Sequence, residues 1–129
     1  PYTTLALLNG EAPELSSGQR LIDWIYIDDV IDGLIAAAQS PEDDLFEFGS
    51  GTLTSIAEIV HRLNQLVNPN IQPRFGALSE RPMEQVRVAN IEATRLTLNW
   101  KPKVSLEEGL ARTVEWYAAY HRSHALSCA

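Results

Sequence analysis

Two arginines stand where anion chemistry is easiest to arrange. Arg20 opens the aromatic, β-branched run RLIDWIYI, on the same pleat face as Ile22, Trp24 and Tyr26. Arg81 precedes Pro82 in the polar loop Ser79-Glu80-Arg81-Pro82. A guanidinium at a strand entrance and another on a rigid loop suit a bidentate grip on a diphosphate, and each alone serves as well in a surface ion pair. Of the ten basic residues, eight are arginine, which weights the chain toward planar, bidentate recognition.

Other chemistries have less to work with. Asp28 and Asp29 are adjacent carboxylates that suit an acid/base pair in principle, yet a helix N-terminus accounts for both, because its exposed N–H groups favour negative charge. The turn Gly49-Ser50-Gly51 follows one element and precedes another, where backbone N–H groups cradle phosphate. A dinucleotide fingerprint wants a third glycine at position 54, where Thr54 stands, so a tight turn is the expected reading. His61, His121 and His124 lack the spacing of a zinc site, and no metal is expected. There is no G-x-S-x-G nucleophile elbow.

The elements that position these residues follow from pattern. Arg20 to Ile27 reads as a strand covered on both faces. Asp28 or Asp29 then caps a helix whose Val30, Ile31, Leu34, Ile35 and Ala38 fall on one face, and Ser40-Pro41 stops it. Leu45 to Phe48 reads as a short strand. Ser55 with Glu58 forms a capping box opening a helix that buries Ile56, Ile59, Val60, Leu63 and Leu66 or Val67, and Asn68-Pro69-Asn70 breaks it. Ile71 to Phe75 and Val86 to Ala89 suit short strands. Ile91 to Leu98 is a short helix with Asn99 at the left-handed position after its end. Ser105 with Glu108 opens the last helix, striped by Leu106, Leu110, Val114, Tyr117 and His121. Alternating strands and helices predict an α/β fold with α+β character.

The 129 residues amount to about one domain. Hydrophobic residues at 45% and charged residues at 21% exclude a disordered tail and a disulfide mini-protein. The net charge of −7 disfavours nucleic acid and anionic membrane as partners. No apolar run approaches a bilayer span, and the lone Cys128 fits a reducing compartment; a cytoplasmic location is expected. The opening at Pro1 reads like the interior of a longer chain.

The order of three segments is more specific. GQRLIDWIYIDDVIDGLIAAA, FEFGSGTLTSIAEIVHRL and ERPMEQVRVANIEATRLTLNWKPKVSLEEGLARTVEWY together resemble the C-terminal part of the NAD-dependent epimerase/dehydratase family. These are extended short-chain dehydrogenases/reductases acting mostly on nucleotide sugars. The resemblance runs from Gln19 to Tyr120. It implies the substrate-binding part of such an enzyme, spanning residues 1–129, with a nucleotide sugar as ligand and the N-terminal Rossmann half absent. NAD or NADP would serve the full-length enzyme, with none expected on this chain. A homo-oligomer is expected.

By the same resemblance, Arg81 matches a diphosphate-binding arginine and Glu84 an acid that accepts from ribose hydroxyls. Family members usually carry arginine directly before the Asp-aromatic pair, which here is Asp23-Trp24; Ile22 stands there instead, and Arg20, two residues earlier, is the substitute contact. Asn90 replaces a common aspartate, and Asn99 a glycine. The Tyr-x-x-x-Lys pair is absent: four residues after Tyr2, Tyr26, Tyr117 and Tyr120 stand Ala6, Val30, His121 and His124. No catalytic residue is therefore assigned, and the chain alone is expected to be inactive. Two other functions fit the sequence: a non-catalytic nucleotide-sugar-binding or interaction module, and part of a reductase acting on a non-nucleotide substrate.

Overall fold

Both Ser-x-x-Glu boxes start helices where their spacing places them. The computed structural model describes residues 1–80 and 85–125. Their elements run α1 (Tyr2–Leu8), β1 (Leu21–Asp23), α2 (Ile27–Gln39), β2 (Leu53–Ser55), α3 (Ile56–Val67), α4 (Ile91–Leu98) and α5 (Leu106–Ala125). The Ser55 hydroxyl accepts from the Glu58 N–H at 3.1 Å and that of Ser105 from the Glu108 N–H at 3.2 Å. The α4 helix ends on Asn99 in the left-handed conformation, φ 50° and ψ 30°, as its position required.

The chain divides into two compact units. The first comprises Pro1–Arg20, Ser55–Glu84 and Leu110–Ala129. Within it α1 packs on α3, burying Ala6 and Leu7 with Ile59, Val60 and Leu63. The α1 helix carries no side-chain cap, which leaves its start without a sequence signal. Leu110, Val114, Tyr117 and His121 are all half-buried, in keeping with the stripe read from the sequence, and His121 Nε2 lies 2.6 Å from Asn9 Oδ1.

The second unit comprises Leu21–Thr54 and Gln85–Gly109. Its ladder is β1 beside β2, the only sheet among the described residues. Here the structure departs from the expected strand over Arg20 to Ile27. Pairing is confined to Leu21–Asp23 beside Leu53–Ser55, and the Trp24 indole N–H donates to the Thr54 carbonyl at 3.1 Å. Helix α2 then begins at Ile27, with Tyr26 at its N-cap and no side-chain cap bond. Asp28 and Asp29 lie in its first turn rather than at the cap, where the helix dipole still favours their charge.

Three further expected strands are not regular strands. Residues 45–48 join no ladder among the described residues; instead the Thr94 hydroxyl holds both backbone groups of Glu47, accepting from its N–H at 3.1 Å and donating to its carbonyl at 2.9 Å. The 71–75 segment makes a single parallel bridge, Arg74 with Glu14, and 86–89 forms no strand. The Phe48 ring meets Trp100 edge-on at 5.0 Å, and Trp100 is buried. Gly33 is where it is because Phe48 rests on it: a Cβ there would lie 2.5 Å from the ring.

Candidate functional site

Asp23 ends β1 with its carboxylate turned into a ring of donors. Oδ1 accepts from the Ser50 N–H at 2.7 Å and the Ser50 hydroxyl at 2.6 Å; Oδ2 accepts from the N–H groups of Gly51 at 3.1 Å and Ala89 at 3.0 Å. Burial pushes the acid's pKa upward, but the Ser50 hydroxyl and the N–H groups of Ala89, Ser50 and Gly51 outweigh it and hold it below the usual carboxylate value of 3.8. The Gly49-Ser50-Gly51 turn is thus an anion nest whose anion is the protein's own aspartate. Gly49 has no room for a side chain, since a Cβ would lie 2.5 Å from both Asp23 Oδ2 and the Ala89 methyl. The turn was read as a tight connection rather than a phosphate cradle, and its engaged N–H groups support that reading.

Asp29 is fully buried, 2% exposed, and holds the chain before α5. Its Oδ1 accepts from the Lys103 N–H and its Oδ2 from the Val104 N–H, both at 3.0 Å. The Trp100 indole N–H donates to the Asp29 carbonyl at 3.2 Å. Both carboxylate oxygens accept from backbone in a buried position, which favours a structural role over acid/base work. Element-by-element reading missed the roles of Asp23 and Asp29. The signal for each was an acid inside an apolar run, which a buried position admits only when donors surround it.

Of the residues singled out for diphosphate binding, Arg20 is half-buried in the first unit. Its carbonyl accepts from the Ile56 N–H at 3.0 Å, and the carbonyl of Gly18 accepts from the Ala57 N–H at 2.9 Å, so its backbone is fixed against the start of α3. Arg81 and Glu84 lie outside the described residues. Glu80, directly before Arg81, accepts from the Ser17 N–H at 2.7 Å; hydrogen bonds from the Ser17 hydroxyl and N–H lower its pKa. Beyond Glu84, the Ala89 N–H bonds Asp23 and the Asn90 N–H donates to Glu47 at 2.6 Å. The described residues contain no cluster of three or more His, Cys, Asp or Glu able to hold a metal, and no described helix is long and apolar enough to cross a membrane.

No family model matches the chain. Similarity to individual proteins is extensive. The chain is 31% identical over 114 residues to a UDP-glucose 4-epimerase of Mycolicibacterium smegmatis, covering 87% of this chain and 36% of that protein. A UDP-glucose 4-epimerase of Thermotoga maritima, solved with UDP-glucose, superposes with a TM-score of 0.84 at 27% identity, over 92% of this chain and 38% of that one. The Bordetella bronchiseptica enzyme WbmF, solved with NAD+ and UDP, gives a TM-score of 0.77 at 28% identity, over 94% and 36%. The chain is thus similar in sequence and fold to the C-terminal part of the extended short-chain dehydrogenases/reductases that include nucleotide-sugar epimerases and dehydratases. It spans about a third of the length of the curated relatives it matches, 31% and 36% of two of them.

Proposed function

We propose that the chain is the nucleotide-sugar-binding part of an NAD(P)-dependent epimerase or dehydratase. The observation that carries this reading is the similarity over 87% of the chain to a UDP-glucose 4-epimerase. In this reading residues 1–129 form the substrate-binding region. Arg81 and Arg20 neutralise the diphosphate and fix its orientation, and Glu84 accepts from ribose hydroxyls. Holding the sugar in one pose is the contribution such a region makes to rate, since it removes translational and rotational freedom before the chemical step.

This reading assigns the dinucleotide to the full-length enzyme and no site for it to this chain. The N–H groups of Ser50 and Gly51, the pair best placed for a pyrophosphate, are taken by Asp23. With no Tyr-x-x-x-Lys pair in the sequence either, the proposal gives the chain substrate orientation and no proton or hydride transfer.

A thermal-shift panel of UDP-, dTDP-, GDP- and CDP-sugars against the chain tests the proposal, because a ligand that binds the folded state raises the melting temperature. A saturable upward shift with one nucleotide class is expected. A flat response across the panel would favour a non-nucleotide substrate or an interaction module.

A further inference from the structure

The end of α1 brings an electrophile, a nucleophile and a hydrogen-bond donor to one exposed corner of the first unit. Asn9 caps the helix and Gly10 follows it, both exposed. From α5, in the same unit, His121 Nε2 lies 2.6 Å from the Asn9 side-chain oxygen Oδ1. An amide oxygen only accepts, so Nε2 carries the hydrogen and donates it. A donor on Oδ1 draws electrons from the side-chain carbonyl and stabilises charge that develops there when Cγ is attacked.

The nucleophile is the Gly10 backbone nitrogen, which closes a five-membered ring when it bonds Asn9 Cγ. Glycine obstructs this approach least, having no Cβ, and the space beside Gly10 is open to 4 Å. Asn9 is the only asparagine in the sequence followed by glycine: Asn64, Asn68, Asn70, Asn90 and Asn99 precede Gln65, Pro69, Ile71, Ile91 and Trp100. The helix end restrains the reaction. Gly10 sits at φ 78°, its N–H donates to the Leu7 carbonyl at 3.1 Å, and the Glu11 N–H donates to the Ala6 carbonyl at 2.8 Å. The attacking nitrogen is therefore released only when the last turn opens. That turn ends a seven-residue helix without a side-chain cap, and helix ends open at low cost. His121 holds the side chain and not the backbone that must rotate, so opening does not require the donor to leave.

We propose that Asn9 is a modification site, converted to aspartate and isoaspartate by its own chain with His121 as the activating donor. The Gly10 nitrogen bonds Asn9 Cγ as its proton passes to solvent, and the charge gathering on Oδ1 is met by the His121 N–H. The Cγ–Nδ2 bond then breaks, and Nδ2 takes a proton from solvent and leaves as ammonia. Water opens the succinimide at one carbonyl to give aspartate or at the other to give isoaspartate; nothing is oxidised or reduced. Aspartate places a carboxylate against the His121 ring, so a contact between α1 and α5 made by an amide becomes one made by an anion. Isoaspartate lengthens the main chain by one carbon at the cap.

The test incubates the folded chain at neutral pH and physiological temperature, and follows each asparagine by peptide mapping and isoaspartate labelling. Hydrogen exchange of the Gly10 amide gives the opening of the turn separately. His121→Phe and His121→Ala both remove the donor, and either one that folds suffices. Expected are conversion about tenfold or more faster at Asn9 than at any other asparagine, and several-fold less conversion per opening in the donor-less variants. No preference for Asn9 overturns the proposal. So does conversion per opening that matches the parent in a donor-less variant, since His121 would then only restrain the turn. Unfolding of both variants overturns it as well, because the ring would then belong to the chain's own packing.

Discussion

Asp23 accepts both hydrogens that Ser50 offers, the backbone N–H at 2.7 Å and the hydroxyl at 2.6 Å. With Gly51 and Ala89 as further donors, one carboxylate ties the end of β1 to the glycine turn and to the chain beyond the arginine loop. Asp23→Asn replaces an acceptor oxygen by a donor facing N–H groups. It should destabilise the fold by about 1–3 kcal/mol, the cost of leaving such groups unsatisfied. Urea denaturation at neutral pH measures this, and an unchanged midpoint would count against the role.

The same acid sets a pH dependence. Its folded pKa lies below the ordinary 3.8, so the folded state releases this proton more readily than the unfolded chain. The stability it contributes is complete above the unfolded value and disappears as pH falls through the folded one. Between about pH 5 and the lower folded pKa the parent should lose stability more steeply than Asp23→Asn. Parallel curves would show that the carboxylate's charge plays no part.

Asp29 is predicted to be a structural clamp. Asp29→Ala leaves the N–H groups of Lys103 and Val104 without their acceptors, at about 1–3 kcal/mol for each that stays buried. Hydrogen exchange at these two amides should accelerate in the variant while the amides of α3 keep their protection. Unchanged exchange at Lys103 and Val104 would contradict the clamp.

The glycines separate contact from conformation. Gly49→Ala drives a methyl into Asp23 and Ala89 and should cost about 1–3 kcal/mol as overpacking. Gly10→Ala meets nothing within 4 Å but sits at φ +78°, and should cost about 1–2 kcal/mol as left-handed strain. Only Gly49→Ala should alter the midpoint less when combined with Asp23→Asn than it does alone, because only that pair shares a contact. Additive double-mutant data for Gly49 and Asp23 would break the link.

Much of this was legible from residues alone, for local reasons. Ser55, Ser105 and Asn99 act on chain within four residues of themselves, so spacing identified the starts of α3 and α5 and the end of α4. The strand of Arg20 to Ile27 was read too long because its extent is set by a partner distant in sequence, the three-residue β2 at Leu53–Ser55. For α2, periodicity located the apolar stripe but does not say which side of a helix is covered; the structure covers the side of Gly33, against Phe48. Asp23 and Asp29 escaped element-wise reading because their partners come from distant loops. The candidate contacts Arg81 and Glu84 rest on resemblance, and their geometry lies outside the described residues.

The chain alone should show no turnover. Incubated with NAD and a panel of nucleotide sugars, it should yield neither NADH absorbance nor epimerised or dehydrated product. Turnover that scales with chain concentration and survives repurification would place a catalytic group among residues assigned here to structure.

Substrate binding by this region is tested most directly by calorimetric titration of UDP-glucose into the parent chain and into Arg81→Ala, side by side. The account predicts saturable one-to-one binding by the parent, and a loss of about 1.5–3 kcal/mol in the variant, the range for hydrogen bonds to charged groups, which is roughly tenfold or more in affinity. Equal affinities in the two proteins, or no saturable heat in the parent, would contradict it.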